Sequence, residues 1–248
     1  LVNAGIISFV QSLGIIFGSN VGTTLTAQLI ALKLTSFAPV FIIGGFLFKI
    51  FGKKYKILGK PLFFFGLVFY GLMLISHNIE PIKNDPGVIN LFSSFSNVFV
   101  ALFIGFVFTA IVQSSSVTTG LVVVLAQSGL LDLKMGLPLL IGANIGSSTT
   151  ALLASMDLNL HARRVGIANF LFNLGGAIIF IPILSLFIIL ITTLGGNVGQ
   201  QVANAHIIFN VATLIIFLII VKPFSNFIKK IVPGEEEEIL FKSKYLSD

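Results

Sequence analysis

The amino-acid sequence predicts an all-α, polytopic membrane protein with inverted-topology repeats, re-entrant helical hairpins and broken helices. Three observations carry that expectation. The 248 residues are 56% hydrophobic and only 10% charged, with a mean hydropathy of +1.05, whereas a soluble domain carries about 25% charged residues. So few charges cannot coat a water-exposed surface of this size, which leaves lipid as the solvent. The apolar residues fall into discrete runs separated by short basic or Gly-rich loops, and one motif occurs twice, 124 residues apart.

Taken in order, the apolar runs are roughly 1–17, 20–32, 37–51, 61–76, 91–112, 117–131, 135–156, 165–191 and 204–221. A full span needs about 20 residues. Several runs are shorter, and short, Gly-interrupted segments fit re-entrant hairpins and broken helices. The first run opens without an initiating Met or a basic stretch, so it does not read as a cleavable signal peptide. A further N-terminal piece is expected ahead of it.

Loop charge sets the orientation. Lys49, Lys53, Lys54, Lys56 and Lys60 place the 49–60 loop on the cytoplasmic side, and Arg163 and Arg164 do the same for 157–164. Lys222, Lys229 and Lys230 place the C-terminus inside. The loops 77–90 and 192–203 share one basic residue and lie outside. The expected organisation is a partial first repeat at 1–76, an extracellular loop at 77–90, a second repeat at 91–221 and a cytoplasmic tail at 222–248. The acidic run Glu235–Glu238 reads as the start of a soluble extension.

The repeated motif is G-[AS]-N-[IV]-G-[ST]-[ST]. Gly18, Asn20, Gly22, Thr26 and Ala27 align with Gly142, Asn144, Gly146, Thr150 and Ala151, and Thr23 and Thr24 align with Ser147 and Ser148. The first copy leads to the outside before run 37–51 descends to the Lys-rich loop. The second leads to Arg163 and Arg164 inside. Charge alone therefore predicts two halves of opposite orientation, a common architecture of secondary transporters with a site near the midplane.

The residues that could carry chemistry are neutral. Gln113-Ser114-Ser115-Ser116-Val117-Thr118-Thr119 places six polar side chains inside an apolar stretch. Such groups must find partners or line a wet cavity. Interhelical hydrogen bonding would explain a few of them. So dense a cluster reads instead as a helix break whose free N–H groups and hydroxyls bind an anion. In the repeated motif the paired glycines are expected to permit unwinding, while Asn and hydroxyl oxygens suit a small hard cation. The competing reading is a groove of small residues for helix packing.

Asn169 and Asn173, and His206 with Asn210, each lie one turn apart. They read first as structural and second as ligand contacts. Lys33, Lys49, Asp132, Lys134 and Asp157 sit near segment ends as interface anchors.

Several function classes are excluded. With no Cys there is no thiolate metal site or disulfide, and the three His and nine acids are scattered. A net charge of +6 and pI near 9.7 could indicate nucleic acid, but the basic residues occupy short loops, so no nucleic-acid partner is expected. No nucleophile–base pair, phosphate-binding loop or dinucleotide fingerprint occurs, so an enzyme is not expected.

QSSSVTTG, the two glycine–asparagine motifs, ARRVGIANFLFN and VANAHIIFN together resemble the type II sodium–phosphate cotransporters and their bacterial relatives, over about residues 1–232. The resemblance implies sodium-coupled import of inorganic phosphate by alternating access across a bacterial cell membrane. Sodium would be the coupling ion, with no other cofactor. Carried over by motif, Gln113, Ser114, Ser115, Ser116, Asn20, Thr23 and Asn144 would contact phosphate. Thr24, Thr118, Ser148 and Thr149 would form sodium sites. The family carries a QSSS motif in each repeat, and the first would fall ahead of Leu1; Gln11-Ser12 lies too close to Asn20 to replace it. A PhoU-like domain would follow the acidic tail, membrane lipid is a partner, and oligomerisation stays open. The alternatives are a passive anion channel and a non-transporting phosphate sensor.

Overall fold

A computed structural model describes residue 2 and residues 6–234; the acidic stretch and tail at 235–248 lie outside the described residues. Eleven α-helices follow one another, with no strand among the described residues. They are α1 (Phe9–Ala31), α2 (Ala38–Phe51), α3 (Lys56–Ile79), α4 (Pro86–Ser93), α5 (Val98–Val112), α6 (Ser115–Gln127), α7 (Leu133–Ser155), α8 (Leu160–Phe180), α9 (Leu184–Thr193), α10 (Val198–Ile219) and α11 (Val221–Ile231). Five helical segments are long and apolar enough to cross a membrane, and seven if each of two bent pairs counts as one span.

Helix starts follow local chemistry. Ser8, Asn97, Ser114, Asp132, Asn159 and Asn197 each accept a backbone N–H of the first turn at the heads of α1, α5, α6, α7, α8 and α10, which satisfies donors that a helix leaves unpaired. Between α8 and α9 the chain bends by 83° at Ile181–Ile183. Pro182 lies there and cannot donate a backbone N–H, so the expected single run 165–191 becomes two helices.

The expected unwinding at the two glycine motifs does not occur. Runs 1–17 and 20–32 fuse into the continuous α1, and α7 passes unbroken through Gly142–Gly146. In α7 the reason is packing. A Cβ built on Gly105, Gly142 or Gly146 would overlap the carbonyl oxygen of Leu139, Leu102 or Phe106 respectively. Helices α5 and α7 therefore touch backbone to backbone, as small residues allow where lipid supplies no hydrophobic drive. In both motifs the hydroxyls keep the turns satisfied by donating to carbonyls three residues back: Thr24 to Val21 at 2.6 Å and Ser148 to Ile145 at 2.6 Å.

Helix α6 is the centre of the molecule, packed by α1, α3, α7 and α10. The main core gathers Val122–Ala126, Leu137–Ile141, Ile30, Phe69 and Leu72 around it. A second core stacks Phe17 on Phe172, with centroids 4.5 Å apart, and continues through Phe217 to Phe224 and Ile228. It ties α1 and α8 to α10 and α11. Arg164 is buried and donates from Nε to the Val232 carbonyl at 3.1 Å and from Nη2 to Gly234 at 3.2 Å, which fixes the end of α11 on α8. Helices α2 and α3, by contrast, form a peripheral pair with most side chains exposed.

Candidate anion site at the α5–α6 break

The break sits where the polar cluster is. Helix α5 ends at Val112; Gln113 adopts the left-handed region with φ 59° and ψ 25°, and Ser114 is extended at φ −145°. A non-glycine residue with that φ is strained by about 1 kcal/mol or more. Ser114 Oγ then caps α6 by accepting from Val117 N at 3.4 Å. Buried Thr109 Oγ1 donates to Thr118 Oγ1 at 2.8 Å, linking the last turn of α5 to the first of α6. Replacing Thr109 by Val is expected to lower the protein's stability by about 1 kcal/mol, read as a lower melting temperature in detergent.

The first turn of α6 opens onto a cavity of about 290 Å³. Its lining is Ser19, Asn20 and Thr23 from α1, Gln113 and Ser114–Ser116 from the break, Ser147 from α7 and Asn169 from α8. All nine side chains are hydroxyls or amides, and none is ionisable. The first N–H groups of a helix have no intrahelical partner, and they carry its positive partial charge. The cavity therefore offers many neutral donors to a small anion without a fixed cation to hold it permanently. On the α1 and α8 side it meets a larger, mostly apolar cavity of about 440 Å³, with Ser19 and Asn169 lining both.

The two motif copies make similar hydrogen bonds. Asn20 Nδ2 donates to Ile16 O at 2.9 Å and to Asn169 Oδ1 at 3.3 Å; Asn144 Nδ2 donates to Asn210 Oδ1 at 3.2 Å. Each motif asparagine thus engages a second asparagine on another helix. Thr23 Oγ1 donates to Asn20 O at 2.8 Å and Ser147 Oγ to Asn144 O at 2.9 Å, and both hydroxyl residues line the cavity.

The structure brings together Gln113, Ser114, Ser115, Ser116, Asn20 and Thr23 of the expected phosphate contacts. It does not bring Asn144 to the lining. That residue is buried, with His206 Nε2 3.2 Å from its Oδ1, and Asn210 Nδ2 donating to His206 O at 2.9 Å. Of the expected sodium ligands, Thr24, Ser148 and Thr149 sit within α1 and α7, donating to carbonyls of the preceding turn, and Thr118 Oγ1 lies 3.2 Å from Ser114 O; none of the four lines the cavity.

Ser19, Ser147 and Asn169 line it without having been singled out as phosphate contacts. Ser147 was recoverable as the repeat partner of Thr23. Asn169, first read as structural, also faces the cavity. Its neighbour Asn173 donates Nδ2 to Asn169 O at 3.1 Å, while its buried Oδ1 and the buried Thr213 Oγ1 have no hydrogen-bond partner among the described residues. Farther along α1, Gln28 accepts from Gln200 at 3.1 Å and donates to Asn204 at 3.0 Å, and Gln127 donates to Ala31 O at 3.2 Å.

Comparison with known proteins gives this arrangement a context. A family model described as Na+/Pi-cotransporter matches residues 1–77 and 87–181. The uncharacterised protein YqeW of Bacillus subtilis (strain 168) is 31% identical over 94% of this chain and 77% of its own length. A candidate inorganic phosphate export protein, YjbB of Escherichia coli (strain K12), is 30% identical over 94% of this chain, which spans 43% of that protein. The mouse sodium-dependent phosphate transport protein 2C is 38% identical over 41% of this chain and 18% of its own. No solved structure matches. With a family model covering most of its length and a relative 31% identical over 94% of this chain, the chain belongs to the Na+/Pi-cotransporter family.

Proposed function

We propose that this chain is the transport core of a secondary carrier that moves inorganic phosphate together with sodium by alternating access, importing it when sodium runs inward. The observation that carries this reading is the 290 Å³ cavity at the head of α6, lined only by neutral polar groups drawn from both motif copies, the QSSS break and Asn169 of α8. Mobile cations that accompany the phosphate offset its charge in a cavity that has no fixed cation. Sodium binding then favours phosphate binding, and phosphate favours sodium, by the same factor.

Gln113, Ser114, Ser115 and Ser116 donate to the phosphate; Asn20 and Thr23, whose protons already go to Ile16 O, Asn169 Oδ1 and Asn20 O, contact it by exchanging those bonds, and Asn144 supports the site from behind through Ser147. Thr24, Ser148 and Thr149 donate their hydroxyl protons to backbone carbonyls, so their oxygen lone pairs stay available to sodium; Thr118 adds a hydroxyl at the break. In this reading the lysine-rich segments 49–60 and 222–230, and the C-terminus, lie on the cytoplasmic side of a bacterial cell membrane, in keeping with the bias of basic residues toward that side. Residues 1–76 and 91–221 act as the two oppositely oriented halves. The direction of net flux follows the sodium gradient, so the same machinery exports when that gradient is reversed.

The test is radiolabelled phosphate flux in proteoliposomes holding the full-length protein. Uptake is expected with sodium outside and to collapse when choline replaces it; unchanged uptake rejects the coupling. Saturation with phosphate distinguishes a carrier from a channel, and net accumulation distinguishes it from a sensor. Ser115→Ala removes one hydroxyl from the cavity and is expected to lower phosphate affinity about tenfold, the scale of one hydrogen bond to a charged ligand, with unchanged expression.

A further inference from the structure

The α2–α3 pair carries a second polar feature that the transport reading does not use. Its two helices are pressed together at glycines. A Cβ on Gly45 would overlap the backbone N of Phe63, and one on Gly59 would lie 2.5 Å from the backbone N of Lys49. With the backbones in contact, the larger side chains are left to flank a cleft of about 220 Å³, lined by Phe46, Lys49, Lys60, Phe63 and Phe64. Two lysines and three phenylalanines thus line one cleft. Neither has a hydrogen-bond or ion-pair partner among the described residues. Five lysines and no acidic residue occur between 49 and 60.

The surroundings indicate what would fill it. The pair lies at the periphery, and Phe46 and Phe64 are 52% and 58% exposed. In a membrane such surfaces face acyl chains, while lysines at helix ends reach the headgroup layer. A basic pocket between helices at that level complements an anionic headgroup, and aromatic walls complement the chains attached to it. We propose that the cleft between α2 and α3 is a binding site for an anionic phospholipid, its phosphate held between Lys49 and Lys60 and its acyl chains lying along Phe46 and Phe64. The site is separate from the transport cavity, which is built from α1, the α5–α6 break, α7 and α8 and contains no charge. Free phosphate would use only the lysines and leave the aromatic walls uncovered.

The full-length protein, purified in a neutral detergent, would be titrated with dioleoyl-phosphatidylglycerol, dioleoyl-phosphatidylcholine or inorganic phosphate. Bound lipid is counted by native mass spectrometry and the melting temperature is followed in parallel. Phosphatidylglycerol is expected to bind and raise the melting temperature, phosphatidylcholine to do neither, and millimolar inorganic phosphate to leave the bound lipid in place. Lys49→Gln with Lys60→Gln should weaken phosphatidylglycerol binding at least tenfold, each lysine near an anionic headgroup contributing about a further fivefold. Lys53→Gln with Lys54→Gln, in the loop outside the cleft, should change it less than threefold, and the Lys49→Arg, Lys60→Arg pair should retain it. A photoreactive phosphatidylglycerol on the wild-type protein should label residues 46–64, a readout that needs no variant to fold. Unchanged binding in the glutamine pair, equal loss in the 53/54 pair, displacement of the lipid by inorganic phosphate, or labelling confined to other segments would each overturn the proposal.

Discussion

Gly142→Ala is expected to destabilise the protein by about 3 kcal/mol, the upper end of what overpacking a filled interior produces, and to abolish phosphate transport with it. The added methyl would overlap the Leu102 carbonyl oxygen and lie 2.9 Å from Phe106 N. Both are backbone atoms of α5, so no side chain can rotate away; the helix itself has to move. Helix α5 ends at the strained Gln113 and is linked to α6 through Thr109, so displacing it displaces the head of α6 and the cavity in front of it. Gly71→Ala on α3 is the matched control. Nothing lies within 4 Å of its added Cβ, and alanine is the better helix former by about 1 kcal/mol. Melting of the purified proteins in detergent reads the difference. If Gly142→Ala melts with the wild type, the backbone contact between α5 and α7 is wrong.

That contact also shows where sequence reasoning stops. The spacing of Gly142, Asn144 and Gly146 marks a place where something comes close, and both an unwound turn and a packing groove satisfy it. Only the position of α5 decides, because an opposing backbone keeps α7 helical. The first copy sharpens the point. Gly18 and Gly22 carry the same motif, yet no described atom lies within 4 Å of a Cβ on either, so identical local patterns meet different neighbours. The QSSS break was legible because its signal is local: six polar side chains in an apolar stretch, with Ser114 in a capping position. The bend at Pro182 was missed, because composition reads 165–191 as one segment, although a proline inside the run removes a backbone donor there.

The cavity lining divides in the same way. Gln113–Ser116 follow from sequence because they are contiguous. Asn20, Thr23 and Ser147 follow from the repeat. Asn169 required the fold, since its turn-spaced partner Asn173 makes the pair look like a packing device until α8 is placed beside α1. Thr24 and Ser148 show the converse. They are hydroxyls in a motif that looks ligand-rich, but each is one residue beyond the cavity-facing Thr23 or Ser147, about 100° around the helix, and points into protein.

Ser116→Asp separates folding from transport. Ser116 occupies the first turn of α6 and lines the cavity. A carboxylate at that position is favourable for the helix by about 0.5 kcal/mol, because it meets the positive end of the dipole. The protein should therefore melt at or slightly above the wild-type temperature. The same carboxylate is a tethered anion where the transported anion has to sit. Two like charges about 4 Å apart repel by about 4 kcal/mol at an effective dielectric of 20, which corresponds to about a thousandfold loss of phosphate affinity. Ser116→Asn adds similar bulk without charge and keeps a donor, so its affinity should fall less than tenfold. Isothermal titration of phosphate in saturating sodium, with melting measured on the same samples, gives both quantities. Loss of phosphate binding in the aspartate variant with a retained fold is what a neutral anion cavity at the head of α6 requires. Equal binding by the aspartate and asparagine variants would place the phosphate elsewhere in the molecule.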